Sequence, residues 1–253
     1  MLRLRQICLV SSELEKSVTD IRAVFGLDVC YRDPSVAKYG LKNTLLPIGN
    51  NFLEIVAPFR DGTAAERFLK KRGGDGGYMV ILECDDAVKR ERRMRELDIR
   101  IINKLEYPSF QSIQMHPQDT GGAIIETGTD SRSSEGPGPW HPAGDNWENA
   151  VRTDVVSALV AVELQSNDPK SLANRWSEVL DVAMDESTDG TPKLQLENAD
   201  LRFRNSLDSR GEGLATLHLR TVNKTHILQE AAARSCKIER DTVTVCGTKF
   251  KLL

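Results

Sequence analysis

Two glutamates stand inside apolar strand-like runs, where a charge needs a chemical reason. Met115-His116-Pro117-Gln118-Asp119-Thr120-Gly121-Gly122 is a turn sequence that leads into Ala123-Ile124-Ile125-Glu126, and Gly49-Asn50-Asn51 leads into Phe52-Leu53-Glu54-Ile55-Val56. Side chains alternate along a strand, so Glu126 shares a face with Ile124 while Ala123 and Ile125 point the other way. Burying an unpaired carboxylate costs on the order of several kcal/mol, comparable to the stability margin of a domain, unless a cation, a donor or a proton compensates it. Two carboxylates at equivalent strand positions are suited to holding a hard cation or to moving a proton.

The elements that must position them repeat along the chain. Residues 4–10 read as a strand, and Ser11-Ser12-Glu13-Leu14-Glu15 reads as a helix start with a Ser cap answered by Glu15. Leu14, Val18, Ile21 and Phe25 then recur at helical spacing, and Gly26 stands at the C-terminal cap. Strands are expected at residues 27–31, 44–48 and 51–57, giving a βαβββ unit. After a connector with a helical stretch at 63–72 and the turn Gly73-Gly74-Asp75-Gly76-Gly77, the unit restarts. Its elements are a strand at 78–84, a charged helix at 87–97 capped by Asp85 or Asp86, and strands at 100–103, 112–116 and 123–127.

Residues 129–149, with Ser131, Ser133, Ser134, Gly136, Pro137, Gly138, Pro139 and Pro142, have linker composition. Trp140 and Trp147 are expected to anchor this stretch on a domain surface; stacking on a ligand is the alternative. Two further units follow. One has a strand at 157–164, a helix started by Asn167-Asp168-Pro169 with the stripe Leu172, Trp176 and Val179, and strands at 193–196 and 201–203. The other has a strand at 215–221, a helix with Ile227, Leu228 and Ala231, and strands at 242–245 and 249–252. Leu27-Asp28-Val29, Leu97-Asp98-Ile99 and Leu180-Asp181-Val182 each follow the helix of their unit, with Cys236-Lys237-Ile238 as a weakened copy.

Bulk properties exclude several classes of function. A net charge of -3 over 253 residues, with basic and acidic side chains interspersed, gives no electrostatic reason to expect nucleic acid. No apolar run approaches a membrane span. The start, Met1-Leu2-Arg3-Leu4-Arg5, alternates and lacks the apolar core of a signal peptide, so a cytoplasmic protein is expected. Cys8, Cys30, Cys84, Cys236 and Cys246 are odd in number and not closely spaced, which speaks against a disulfide framework or a thiolate zinc site. There is no G-x-S-x-G elbow, P-loop or Rossmann fingerprint.

Four βαβββ units, paired two by two, resemble the vicinal oxygen chelate superfamily, which includes glyoxalase I, methylmalonyl-CoA epimerase, extradiol dioxygenases and bleomycin-resistance proteins. The likeness is most specific in His116-Pro117-Gln118-Asp119-Thr120-Gly121-Gly122 with the strand to Glu126, which is similar to the last turn and strand of methylmalonyl-CoA epimerases, and in Gln6-Ile7-Cys8-Leu9-Val10, which is similar to the opening strand. The resemblance implies an α+β fold of two glyoxalase-like domains, residues 1–130 and 150–253, joined by a linker at 131–149. It also implies a divalent metal held by the first and last strands of each unit in a domain.

Carried over by position, Gln6, Glu54 and Glu126 are the implied metal ligands, while Met79 stands where the family has a histidine. Oxygen donors without imidazole favour magnesium or manganese over nickel, cobalt or zinc, and a thioether suits none of the hard ions. In the second half the matching positions, Ala161, Arg202, Thr216 and Lys251, offer no ligand set, so that domain reads as a degenerate duplicate; Arg202 and Lys251 on one face suggest at most an anion site. Glu83, on the strand face of Met79, would enter the cleft only after a register shift. His116 is expected to stabilise its turn, and His141, His218 and His226 carry no assigned role.

Two readings of function follow. The first is a glyoxalase-like lyase or isomerase acting on a small oxo- or hydroxy-acid derivative or thioester, with the metal polarising a carbonyl and Glu54 or Glu126 moving the adjacent proton. The second is a metal-free protein, of the resistance type, that sequesters a small organic ligand. Either works as a monomer or a homodimer, because paired units close within one chain.

Overall fold

The computed structural model describes residues 1–133, 138–206 and 208–253. Ser134, Gly136 and Pro137 of the linker lie outside the described residues. Strands β1 (Leu2–Val10), β2 (Leu41–Ile48), β3 (Asn51–Pro58), β4 (Gly76–Cys84), β5 (Ile101–Glu106), β6 (Phe110–Met115) and β7 (Ile124–Asp130) form one sheet in the order β2-β3-β1-β4-β7-β6-β5. Strands β8 (Val156–Ser166), β9 (Met184–Glu186), β10 (Pro192–Gln195), β11 (Asp200–Asn205), β12 (Gly213–Thr221), β13 (Lys237–Glu239), β14 (Thr242–Val245) and β15 (Thr248–Leu252) form the second, in the order β13-β14-β15-β12-β8-β11-β10-β9. Six α-helices accompany them: α1 (Leu14–Phe25), α2 (Ala64–Arg72), α3 (Ala87–Glu96), α4 (Pro117–Thr120), α5 (Pro169–Leu180) and α6 (Lys224–Ala233). This is the expected α+β pair of glyoxalase-like sheets. Among the described residues no helix is long and apolar enough to cross a membrane.

Local expectations fail in two instructive places. The capping box at the start of α1 does not form: Glu13 is the cap residue, without a side-chain bond. The Ser12 N–H and hydroxyl both donate to Asp75 Oδ1, at 2.8 and 2.9 Å, because an ionised carboxylate is a stronger acceptor than the helix-start alternatives. The strand expected at residues 27–31 is irregular chain, tied to β2 by a single bridge between Tyr31 and Leu45. By contrast α5 starts as its residues dictate, with Asp168 accepting from the Ser171 N–H at 3.0 Å and Pro169 in the first turn.

Contacts group the chain into two compact units, and each unit draws on both sequence halves. The first comprises Met1–Gln6, Tyr78–His141 and Ala161–Leu214. In it Leu172, Ala173, Trp176, Val179 and Leu180 form the buried stripe of α5, and Trp176 meets Phe203 edge to face at 5.8 Å. The Gly121-Gly122 turn packs here: the Trp176 indole donates to the Gly121 carbonyl at 3.2 Å, and the Gly122 N–H donates to Glu212 at 2.8 Å. Gly122 has φ +72°, and a Cβ there would lie 2.6 Å from Leu164, so only glycine fits. Arg90 and Arg93 donate to the Leu180 and Glu178 carbonyls at the end of α5, where the helix dipole favours cations.

The second unit comprises Ile7–Gly77, Pro142–Val160 and Ala215–Leu253. Its core holds Val18, Ile21, Val24 and Phe25 of α1, with the Phe25 and Phe250 rings 4.5 Å apart. His226 Nε2 lies 2.9 Å from the Ala23 carbonyl, so this imidazole links α6 to α1. Trp147 is buried and meets Phe52 edge to face at 5.0 Å. All five cysteines are free. Burial pushes the thiols of Cys30 and Cys246 up to about 12, so neither supplies a thiolate near neutral pH.

Candidate active site

In the first unit, Glu126 lies within β7 and is 4% exposed. Its Cα partners are Gln114 on the antiparallel strand β6 and Ile81 on the parallel strand β4. Paired residues point the same way, so Met79, Ile81, Glu83, Ser112 and Gln114 share the face of Glu126. Gln114 Nε2 donates to Glu126 Oε2 at 2.8 Å, orienting the carboxylate and offsetting part of its desolvation. Glu83 lies on the strand face of Met79, as its alternation places it, and pairs with Gly128 two residues beyond Glu126. It is 2% exposed, as is Arg5, and Arg5 Nε lies 3.8 Å from Glu83 Oε2. That is a buried ion pair, a group whose members are costly to separate.

Trp140 defines the rest of this face. It is fully buried, its indole N–H donates to Gln6 Oε1 at 2.9 Å, and its ring meets Phe110 edge to face at 5.2 Å. Phe110 itself lies against Gly128, where a Cβ would come within 3.1 Å of its ring. The Arg5 guanidinium sits 5.6 Å from the Trp140 ring centroid and donates to the Gly138 carbonyl. Trp140 thus anchors the linker, as expected, but by insertion against Gln6 and Phe110 rather than by lying on a surface.

The segment is held a second time at Asp130, which accepts the His141 N–H at 2.9 Å and pairs with Arg132 at 2.6 Å. Burial pushes the Asp130 carboxyl up, yet the Arg132 guanidinium and the backbone N–H groups of Arg132 and His141 outweigh it and hold the group below its ordinary value. A depressed pKa contributes stability above the unfolded value, about 3.9, and that stability is lost as pH falls through the folded value. The difference in Tm between wild type and Asp130→Asn is therefore expected to be largest near neutral pH and to narrow below about pH 4. A difference that stays constant from neutral pH to about pH 2 would show that Asp130 stabilises without this linkage.

In the second unit, Glu54 lies within β3 and is 8% exposed. Asn43 Nδ2, from β2, donates to Glu54 Oε1 at 2.7 Å. Asn43 Oδ1 accepts the Asp33 N–H at 2.8 Å, which fixes the amide so that its NH₂ group must face the carboxylate. Each candidate glutamate is therefore oriented by an amide from the strand that precedes it in its hairpin. From the sequence no role fell to Asn43 or Gln114, because β2 and β6 carry other polar residues beside them. Arg5 carried no signal either, because its partner stands in another strand remote in sequence.

The three residues expected to hold a metal fall in different units, Gln6 and Glu126 in the first and Glu54 in the second. Their oxygen donors are of the type that suits a hard cation; Glu54 accepts from Asn43, Glu126 from Gln114 and Gln6 Oε1 from the Trp140 indole. Met79, 8% exposed on the face of Glu126, adds only a thioether. Among the described residues no three His, Cys, Asp or Glu side chains gather as a metal site.

Remaining candidates have structural partners. His116 caps α4 by accepting the Gln118 N–H at 3.1 Å, the turn role expected of it. His141 lies against Tyr107, ring centroids 4.2 Å apart. His218 is buried in β12, as is Thr216, while Ala161 is buried in β8. Arg202 pairs with Asp200 at 3.1 Å in the first unit, whereas Lys251 lies 3.6 Å from Asp241 in the second. Asp241 is shared, since Lys224 Nζ lies 2.6 Å from its Oδ1.

No protein-family model matches the chain. Over 127 residues, 49% of the chain, it is 25% identical to the mitochondrial methylmalonyl-CoA epimerase of Dictyostelium discoideum, covering 76% of that protein. A similar stretch is 27% identical to the mitochondrial methylmalonyl-CoA epimerase of Bos taurus, covering 72% of it. Among solved structures, a hypothetical protein from Staphylococcus aureus superposes over 100% of this chain and 99% of its own, with a TM-score of 0.68 at 13% identity. The chain is thus built on the glyoxalase-like, vicinal oxygen chelate fold, and its first half is similar to the methylmalonyl-CoA epimerases.

Proposed function

We propose that the chain is a glyoxalase-like protein of the isomerase kind, acting on a small oxo- or hydroxy-acid derivative or thioester, with Glu54 and Glu126 as the groups that move the proton. The observation that carries this reading is the matched treatment of the two carboxylates. Both are under one-tenth exposed, and each accepts from an amide of the neighbouring strand, at 2.7 Å for Glu54 and 2.8 Å for Glu126. A carboxylate held this way keeps its orientation, and a positioned carboxylate is the kind of base that takes a proton from the carbon beside a carbonyl. Similarity to methylmalonyl-CoA epimerases, which act on a thioester, supports the reaction class.

Gln6, Glu54 and Glu126 are the proposed holders of a divalent ion, with magnesium or manganese ahead of nickel, cobalt or zinc. Such an ion, when bound, supplies Lewis-acid polarisation of a carbonyl oxygen. A linker at residues 131–149 between two glyoxalase-like sequence repeats, 1–130 and 150–253, and a cytoplasmic site of action belong to the same proposal.

The test is exchange of the carbon-bound proton. Carboxylic thioesters, methylmalonyl-CoA among them, and small oxo- and hydroxy-acids are incubated with the protein in deuterated water, and deuterium uptake is read by mass spectrometry. Elemental analysis and calorimetric titration of manganese, nickel, cobalt and zinc run in parallel on wild type and Glu54→Ala. Uptake that requires the protein supports the isomerase reading, and stoichiometric ion binding lost in Glu54→Ala supports the ligand set. Absence of uptake across the set overturns the isomerase reading.

One observation favours the second reading, a metal-free protein that sequesters a small ligand: the Trp140 indole already occupies an acceptor site of Gln6. On that reading a metal-stripped sample keeps its ligand affinity, and loss of affinity on stripping removes it.

A further inference from the structure

One end of the second unit carries three cations that none of the described carboxylates pairs. Lys38, Lys42 and Arg60 are exposed and form no ion pair among the described residues. Two nearby acids, Glu15 and Asp33, are engaged elsewhere. Glu15, whose carboxyl is lowered chiefly by Arg32 and also feels Lys42, is held by Arg32 at 2.5 and 2.9 Å. Asp33 accepts from the Ser35 N–H at 2.8 Å and from its hydroxyl at 2.7 Å. Among the described residues Arg60 donates to backbone carbonyls, those of Ala37 at 2.7 Å and Lys38 at 3.5 Å.

The same three cations lie on two exposed aromatic rings. Lys42 Nζ is 5.8 Å and the Arg60 guanidinium 5.3 Å from the centroid of Phe59, and Lys38 Nζ is 4.9 Å from that of Tyr39. Phe59 is 46% exposed and Tyr39 40%, so both aromatic side chains reach solvent. The backbone locks the two segments together. The Phe59 N–H donates to the Gly40 carbonyl at 2.9 Å. Gly40 has φ +75°, and a Cβ there would meet Thr63 at 2.7 Å and Arg60 Nε at 3.1 Å, so the turn closes this tightly only around glycine.

We propose that Tyr39, Phe59, Lys38, Lys42 and Arg60 form a binding site for a small nucleotide, a nucleoside diphosphate in chemical class. The flat base stacks on an exposed aromatic side chain and the phosphates take the unpaired cations, a combination that serves ligands carrying both a π-face and dense negative charge. A long polyanion is a poorer fit, because the chain as a whole carries a net charge of -3. Phe59 stands five residues beyond Glu54 in sequence, about 17 Å along an extended chain at the usual strand rise, so occupancy of this site does not depend on the isomerase reading.

The experiment is calorimetric titration of the full chain with ADP and, separately, with inorganic pyrophosphate, repeated on Phe59→Ala and Lys42→Ala with Tm as the check on folding. ADP is expected to bind, and Phe59→Ala to weaken it about 5- to 150-fold while leaving pyrophosphate unchanged. Lys42→Ala is expected to weaken both ligands, more so at low salt than at high salt. Three results would overturn the proposal: no ADP binding up to millimolar concentration, pyrophosphate binding as tightly as ADP, or ADP affinity unchanged in both folded variants. If Phe59→Ala fails to fold, Tyr39→Ala and Lys42→Ala carry the same comparison.

Discussion

Glu126→Gln is expected to lower proton exchange by about 10²- to 10⁴-fold, the usual worth of a positioned acid or base, while Tm stays within a few degrees of wild type. The substitution keeps the shape of the side chain. Its amide oxygen can accept the hydrogen bond that Gln114 Nε2 now gives to Glu126 Oε2 at 2.8 Å, so this side-chain link between β6 and β7 is kept. What disappears is the ability to take up a proton. Glu54→Gln makes the same test in the other unit, where Asn43 plays the part of Gln114. If both glutamates act, either single variant should lose most of the exchange, and the double variant should fall little further, because residues that act as one unit are not additive. Exchange unchanged in Glu126→Gln would remove this residue from the mechanism, whatever Glu54 does.

Trp140→Ala carries the largest expected effect on stability. Truncating a fully buried tryptophan typically costs about 3–5 kcal/mol, through lost apolar burial and the cavity left behind. Here the indole N–H to Gln6 Oε1 is lost as well, together with the edge contact on Phe110 and the ring beside Arg5. Chemical denaturation read by circular dichroism should place the midpoint well below that of wild type. Trp140→Phe should recover part of the loss, since it restores ring volume but not the N–H donor. A cost under about 1 kcal/mol for the alanine variant would contradict so complete a burial. Fluorescence gives an independent check, because ion binding at Gln6 should perturb the emission of the indole bonded to it.

The sequence made the strands and the polar anomalies legible, and the reason is local. Alternation in residues 123–126 and 52–56 assigned faces to Glu126 and Glu54 without any tertiary information, and the same parity placed Glu83 with Met79. Asp168-Pro169 announced a helix start that needs only its own neighbours. Failures came where a distant group competes for a local donor. Ser12 gives its hydrogen bonds to Asp75, across 63 residues of chain, and so leaves no capping box. Residues 27–31 have the apolar content of a strand, but only the Tyr31–Leu45 bridge offers them a partner. Trp140 looked like a surface anchor because its composition context is that of a linker; Gln6, 134 residues away, is what draws it inside. The Gly121-Gly122 turn, whose likeness to epimerases suggested the site, is held instead by Trp176 and Glu212 from the other sequence half.

That dependence bears on how such a chain can be dissected. Because each compact unit is assembled from stretches on both sides of the linker, cutting the chain there would not yield two autonomous fragments. An N-terminal fragment would keep Gln6, Glu54 and Glu126 yet leave Gly122 and Phe25 without the Leu164 and Phe250 surfaces they pack on. The C-terminal half thus supplies packing surfaces that the N-terminal half needs, whatever chemistry it carries.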